Sequence, residues 1–189
     1  MSSKIYIKNM VCDRCIATVR NDLDAMKIDF NHIDLGTVVL ADTITARQKE
    51  ELAKTLQSQG FVLLEDKNSR LIENIKKEVL NVVRNPESRG NVNYSQIISD
   101  KLNHDYNSLS TLFSSVEGVT IEKYIILQKI EWAKELLFYD ELNLNEIAFK
   151  LDYSSVQHLS AQFKKVTGMT PTEYKKLGDK PRKPLDRIR

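Results

Sequence analysis

The pattern of apolar and polar positions changes character near residue 66. Before that point the chain alternates between a period of two residues, typical of strands, and a longer period typical of helices. Residues 4–8 alternate as a strand does. The next segment carries a helical stripe formed by Ile16, Val19, Leu23 and Met26. The pattern predicts a mixed strand-and-helix domain at the start of the chain.

Two more strands, a second helix and a last strand are predicted before residue 66. Residues 28–35 and 37–40 have the pattern of a hairpin whose turn is Gly36. A helix from about Thr45 is expected to stop at Gly60, and the strand 61–64 follows. The resulting order, βαββαβ, is that of a ferredoxin-like domain over residues 1–66.

From Ser69 onward the strand-like pattern disappears. Six or seven helical stripes follow, separated by short polar or glycine-bearing turns. Residues 69–177 are predicted to form a second, all-α domain, joined to the first by the polar link 66–68. Residues 178–189 are predicted to be a basic C-terminal tail. The predicted fold class is therefore α+β.

The helical half contains an internal repeat with an offset of 50 residues. Leu, Ser, Phe, Val, Gly and Thr recur at matching positions in residues 109–120 and 159–170. Each copy follows a short helical segment and a turn, which is the layout of a helix-turn-helix unit whose second helix recognises DNA. In the second unit, Asn143 and Glu146 have the spacing of a capping pair.

A long helix, roughly residues 120–138, is predicted between the two units. Its 19 positions, at about 1.5 Å each, correspond to a rod of about 28 Å. Recognition helices held that far apart can enter successive major grooves, whose repeat is about 34 Å. The alternative is a plain helical bundle. We expect the repeated Leu and Phe residues to be core and the polar residues between them to carry function.

Charge permits nucleic-acid binding without proving it. The chain has 28 basic and 26 acidic residues, a net charge of +2. Residues 1–66 carry 8 basic and 10 acidic residues, whereas residues 67–189 carry 20 and 16. Seven of the basic residues lie in 175–189, a segment that can contact phosphates or stay solvated.

Two segments of the helical half resemble the signature of AraC-type DNA-binding domains. They are residues 147–155 (IAFKLDYSS) and 163–171 (FKKVTGMTP), and residues 124–137 are similar to the linker helix of that family. The resemblance covers about residues 70–177. Members of the family are bacterial transcription regulators. The resemblance therefore implies double-stranded DNA as partner and the cytoplasm as location.

The same resemblance implies which side chains face DNA. Those of the first unit are Asn107, Ser108, Ser110 and Thr111. Those of the second unit are Ser155, Val156, Gln157, Ser160, Ala161 and Gln162. Asn and Gln can pair with adenine edges, while Ser, Thr and Val suit hydroxyl or thymine-methyl contacts. The family often places Arg on these faces to bind guanine, and this chain has none there.

Several basic residues are candidates for phosphate contacts. They are Lys164, Lys165, Lys175 and Lys176. A solvated surface role is the alternative for each of them. His158 lies between the polar face and Leu159, and either a DNA contact or a surface role is open to it.

The two cysteines form one motif, Cys12-x-x-Cys15, between the first strand and the first helix. A loop at a helix N-terminus lowers thiol pKa values and favours thiolates. Two thiolates suit one Cu(I) ion, whereas tetrahedral Zn(II) would need further ligands. The loop resembles that of heavy-metal-associated domains, which bind Cu(I) through Met-x-Cys-x-x-Cys. Here Asn9 precedes the Met, and Val11 replaces the usual Thr.

Three interpretations of the cysteine pair remain open. The first is metal sensing, with Met10 as a core residue under the loop and not as a ligand. The second is a fold that survives while its metal function is lost. The third is a thioredoxin-like redox role, although that usually needs a larger fold and Gly-Pro between the cysteines, where this chain has Asp13 and Arg14.

The sequence favours a cytoplasmic transcription regulator that responds to a soft metal ion. Apolar runs are too short to span a bilayer, no signal-peptide layout precedes them, and no catalytic constellation appears, so neither a membrane protein nor an enzyme is expected. The alternative function is a metal carrier or protein-interaction module whose helical half no longer reads DNA. No cofactor is required, and the oligomeric state stays open between monomer and weak homodimer.

Overall fold

The computed structural model describes residues 4–86 and 93–177. Its first part contains four strands and two helices in the following order: β1 Lys4–Lys8, α1 Asp13–Ala25, β2 Phe30–Asp34, β3 Thr37–Leu40, α2 Ala46–Ser58 and β4 Val62–Leu63. The strands form one sheet in the order β2-β3-β1-β4, and every neighbouring pair is antiparallel. β1 is therefore central and pairs with β3 on one side and β4 on the other.

One hydrophobic cluster joins the sheet to its two helices. Ile5 and Ile7 of β1 are at most 8% exposed and lie in the same cluster as Leu23 of α1 and Leu56 of α2. Since side chains alternate along a strand, Tyr6 points to the opposite face. Its hydroxyl donates a hydrogen bond to Glu73, so both faces of β1 are covered.

Turn and cap residues explain where these elements start and stop. Gly36 connects β2 to β3 with φ of +76°, a left-handed conformation that glycine adopts without strain. α2 begins after Thr45, whose side chain forms a reciprocal capping box with Gln48. The last strand is shorter than predicted: it comprises Val62 and Leu63, which pair with Lys8 and Ile7 of β1.

Seven helices follow in the described residues: α3 Asp66–Arg84, α4 Tyr94–Leu102, α5 Tyr106–Glu117, α6 Ile121–Tyr139, α7 Leu144–Lys150, α8 Val156–Thr167 and α9 Pro171–Lys175. The coarse prediction, a small strand-containing part followed by helices, is confirmed. No helix of residues 4–86 or 93–177 is long and apolar enough to cross a membrane. The predicted basic tail, residues 178–189, lies outside the described residues.

The polar link predicted at residues 66–68 is wrong, because these residues form the first turn of α3. Asp66 suits that position, since a carboxylate at a helix N-terminus interacts favourably with the helix dipole. It also forms an ion pair with Lys49 of α2, and this contact lowers the pKa of Asp66. Polarity alone therefore did not mark a linker.

The chain divides into two compact units. Among the described residues, the first comprises residues 4–75 together with 107–120, and the second comprises residues 76–86, 93–106 and 121–177. The first unit thus contains α5 in addition to the sheet. A contact of the β2–β3 turn explains this grouping: a Cβ placed on Gly36 would lie 2.1 Å from the carbonyl oxygen of Val116. Only glycine permits that approach.

Candidate functional site

The second candidate recognition unit, α7 and α8, begins with the predicted capping pair. The Asn143 side chain accepts hydrogen bonds from the backbone N–H groups of Asn145 at 2.9 Å and Glu146 at 3.1 Å. In return, the Asn143 N–H donates to the Glu146 carboxylate at 2.7 Å. This capping box fixes the first residue of α7.

A tight turn connects α7 to α8. Asp152 has φ of +56°, and the Tyr153 N–H donates to the Ala148 carbonyl at 2.9 Å. The Ser155 side chain then accepts a hydrogen bond from the His158 N–H at 3.1 Å. Ser155, a predicted DNA contact, is therefore the N-cap of α8, and the prediction that it contacts DNA stays a prediction.

α8 separates an apolar face from a polar one. Leu159 and Phe163 are at most 1% exposed, and the Phe163 ring centroid lies 5.5 Å from that of Tyr174 in α9. The repeated Leu and Phe residues are thus core, as expected. The predicted DNA-facing residues fall on the remaining surface: Gln157, Ala161, Lys164 and Lys165 are exposed, and Val156, Ser160 and Gln162 are partly exposed.

α5 divides its residues in the same way. Leu109 and Phe113 are fully buried. The predicted contacts Asn107, Ser108 and Thr111 are exposed, and Ser110 is partly exposed. The two helices therefore share a buried Leu and Phe at equivalent positions, together with an accessible polar surface.

His158 belongs to the turn as well as to α8. Its Nδ1 atom lies 3.1 Å from the Ser154 hydroxyl oxygen, and its ring meets that of Tyr153 edge to face at 5.2 Å. Because the side chain remains exposed, these contacts orient an accessible imidazole beside the polar face of α8.

Lys129 connects several elements of the second compact unit, a role that was not predicted from the sequence. Its ammonium lies 5.2 Å from the ring centroid of Tyr94 in α4 and 5.1 Å from that of Tyr153. It also donates to the Asp152 carbonyl at 3.3 Å. The side chain is only 9% exposed. Lys129 therefore connects α4, α6 and the α7–α8 turn. Tyr153, one of its two aromatic partners, is itself partly buried, and this burial raises the pKa of Tyr153 to about 12.

A signal for Lys129 was present in the sequence. The residue follows Ile125 by four positions and directly precedes Ile130, both of which are buried. A lysine on an apolar helical stripe needs a partner for its ammonium group. Sequence spacing alone could not show that two tyrosines would supply it.

The four predicted phosphate contacts differ in their surroundings. Lys164 and Lys165 lie in the last turn of α8 and are exposed. Lys175 forms an ion pair with Asp140, whereas Lys176 is the C-cap residue of α9. Lys164 and Lys165 are therefore the pair that shares a helix with the candidate base-reading residues.

The two cysteines lie at the N-terminus of α1. Cys12 is the N-cap residue and Cys15 is in the first helical turn, so the expectation that both lie in a loop is wrong for Cys15. Their sulfur atoms are 3.5 Å apart. Hydrogen bonding with the Val11 backbone, assisted by contact with Cys12, lowers the pKa of the Cys15 thiol despite its partial desolvation.

The residues around the cysteine pair differ in burial. Met10 is 5% exposed and belongs to the hydrophobic cluster, which agrees with the expectation that it is a core residue. Cys12 and Val11 are exposed. Within residues 4–86 and 93–177, no group of three or more His, Cys, Asp or Glu side chains could hold a metal ion.

A comparison with known protein families finds a match in the second half of the chain. The model described as a helix-turn-helix domain matches residues 98–177. This segment is therefore similar to helix-turn-helix domains. It contains α5 through α9, and the cysteine pair lies outside it.

Curated proteins that are similar to part of this chain are described as regulators. An uncharacterised HTH-type transcriptional regulator of Bacillus subtilis, YtdP, is 31% identical over 78 residues, which are 41% of this chain and 10% of that protein. The xylose operon regulatory protein of Escherichia coli is 31% identical over 98 residues, 52% of this chain and 24% of that protein. The matched segments thus span a quarter or less of these relatives.

One solved structure that is similar to part of this chain is the C-terminal domain of AraT, a response regulator from Geobacillus stearothermophilus. The identity is 23%, the TM-score is 0.49, and the match covers 56% of this chain and 83% of that one.

Proposed function

We propose that this chain is a sequence-specific DNA-binding transcription regulator of the AraC type. The carrying observation is the surface of α8, where exposed polar and basic side chains stand on a helix-turn-helix domain with a fixed turn. A helix held in this way can present its side chains to the major groove. The regulatory roles of the curated relatives support the same proposal.

The side chains of α8 divide into two roles. The amides of Gln157 and Gln162 can pair with adenine, and Val156 and Ala161 can contact thymine methyl groups. Lys164 and Lys165 contact phosphates, which set affinity and position but carry no sequence information. Asn107, Ser108, Ser110 and Thr111 of α5 provide the second, uncharged reading surface.

Selection of genomic DNA fragments by the purified full chain tests this proposal. We expect a discrete set of fragments to be enriched, with affinity that falls linearly against the logarithm of salt concentration because bound phosphates release counterions. Uniform capture of every fragment, or none at all, would contradict sequence-specific regulation. It would instead favour the metal-carrier or protein-interaction alternative.

We also propose that the N-terminal part is a ferredoxin-like, heavy-metal-associated domain that binds one Cu(I) ion through Cys12 and Cys15. The order of its elements and strands supports the fold. The donor set fits: two thiols lie 3.5 Å apart, one of them has a lowered pKa, and thiolates are soft ligands that select Cu(I). Zn(II) would need ligands from elsewhere.

Competition with a Cu(I) chelator tests the metal site. Wild type should retain one Cu(I) ion, whereas Cys12→Ser should lose it without unfolding, because the exposed Cys12 contributes nothing to the core. Met10→Leu is the matched control and should bind as wild type does, since Met10 is a core residue. Identical curves for wild type and Cys12→Ser would contradict the proposal.

Metal binding can regulate DNA binding only through differential affinity for two arrangements of the protein. We propose a modest coupling of about 1 kcal/mol, which must act equally in both directions. DNA titrations of Cu(I)-loaded wild type, metal-free wild type and the double variant Cys12→Ser/Cys15→Ser test this. Three superimposable curves would show that the cysteine pair is not the sensor.

A further inference from the structure

A groove lies within the first compact unit, between the end of β1 and one side of α5. Its volume is about 410 Å³, and it opens broadly to solvent. Its lining residues are Lys8, Asn107, Ser108, Thr111, Leu112 and Ser115. The groove therefore brings a lysine of the N-terminal sheet to the predicted DNA-reading residues of α5.

The internal repeat identifies this side of α5. With the offset of 50 residues, the five α5 residues of the groove correspond to Gln157, His158, Ala161, Gln162 and Lys165 of α8. All of these except His158 belong to the proposed DNA-contacting surface of α8. The groove wall is thus the DNA-facing side of α5 according to the repeat.

The two helices differ in charge on this side. α8 carries Lys164 and Lys165, whereas α5, Tyr106–Glu117, contains no lysine or arginine. Ser114 and Ser115 occupy the equivalent positions, and their hydroxyls donate to the Ser110 carbonyl at 2.6 Å and the Leu112 carbonyl at 2.8 Å. α5 therefore has no cation of its own for a phosphate.

Lys8 supplies a cation at that place. It is half-buried, and it belongs to no ion pair found among residues 4–86 and 93–177. No described residue lining the groove is acidic, and the other polar groups there are an amide and hydroxyls. Since Asn107, Ser108 and Thr111 stay exposed, the sheet does not bury the polar surface of α5.

We propose that Lys8 contacts a DNA phosphate beside α5. The N-terminal sheet then completes the DNA-binding surface of the first helix-turn-helix unit, in the place where α8 uses its own Lys165. This inference rests on the proposed DNA-binding function. It gives the N-terminal part a direct role in binding DNA that does not depend on the cysteines.

Titrations of the full chain with a selected genomic site and with a scrambled duplex of equal length test the role of Lys8. Lys8→Ala should weaken both alike and lower the slope of log K against log salt by about 0.9, the value for one lost phosphate contact. Lys8→Arg should retain the wild-type slope. Lys4→Ala is the matched control on the same strand, because Lys4 already pairs with Glu73 at 3.5 Å, and its slope should not change.

An unchanged slope for Lys8→Ala, in a protein that unfolds as wild type does, would overturn the inference alone. Tighter binding by Lys8→Ala would also overturn it and would indicate that the sheet hinders α5. Absence of DNA binding by wild type would overturn the proposed function itself, so the two failures are distinguishable.

Discussion

The two candidate recognition helices, α5 and α8, are equal in length and bury the same Leu–Phe pair, but they differ in the chemistry of their remaining positions. Each has 12 residues and buries a Leu and a Phe four positions apart. α8 then adds two lysines where α5 has two serines. The two helices thus keep one packing role, whereas only α8 carries a basic pair at these positions.

Removal of the buried phenylalanine that the two helices share should strongly destabilise the protein. Phe163→Ala and Phe113→Ala should each lower the free energy of unfolding by about 3–5 kcal/mol, because each removes a fully buried ring and leaves a cavity. Chemical denaturation measures both. A loss below about 1 kcal/mol for either would show that the corresponding helix is not held by this core.

Exchange of the lysine and serine pairs at equivalent positions of α8 and α5 should change the affinity for DNA. Lys164→Ser with Lys165→Ser should weaken binding to every duplex and lower the salt slope by about 0.9 for each lost phosphate contact. Ser114→Lys with Ser115→Lys should strengthen it, because α5 then resembles α8. Salt-dependent titrations measure both changes, and unchanged slopes in both variants would refute the assignment of phosphate contacts.

A smaller effect separates the observed capping role of Ser155 from its predicted contact with DNA. Ser155→Ala removes the N-cap acceptor of α8 and should cost about 1 kcal/mol of stability, whereas Ser155→Gly should cost only a few tenths. Both variants also remove the hydroxyl that is predicted to contact DNA. If affinity for a selected site falls in Ser155→Ala but not in Ser155→Gly, capping alone explains the effect.

The sequence was informative where local periodicity and turn chemistry decide structure. Gly36 marked the hairpin, and Asn143 with Glu146 marked the start of α7, because each acts on neighbouring backbone. The apolar positions of α8 were assigned correctly to the core for the same reason.

Long-range contacts could not be read from the sequence. The polar residues 66–68 were predicted to be a linker because nothing in the local sequence shows that Asp66 forms an ion pair with Lys49. The tyrosines around Lys129 and the approach of Gly36 to Val116 are likewise contacts between residues far apart in sequence. These contacts determine which elements share a compact unit, and no local pattern encodes them.

Titration of three proteins with two duplexes tests the claim that α8 reads DNA sequence. Wild type, Gln157→Ala and Lys164→Ala are titrated with a selected genomic site and with a scrambled duplex of equal length. Gln157→Ala should lose about 1–3 kcal/mol on the selected site and little on the scrambled duplex, whereas Lys164→Ala should weaken both alike. Equal losses for the two variants on both duplexes would contradict the claim.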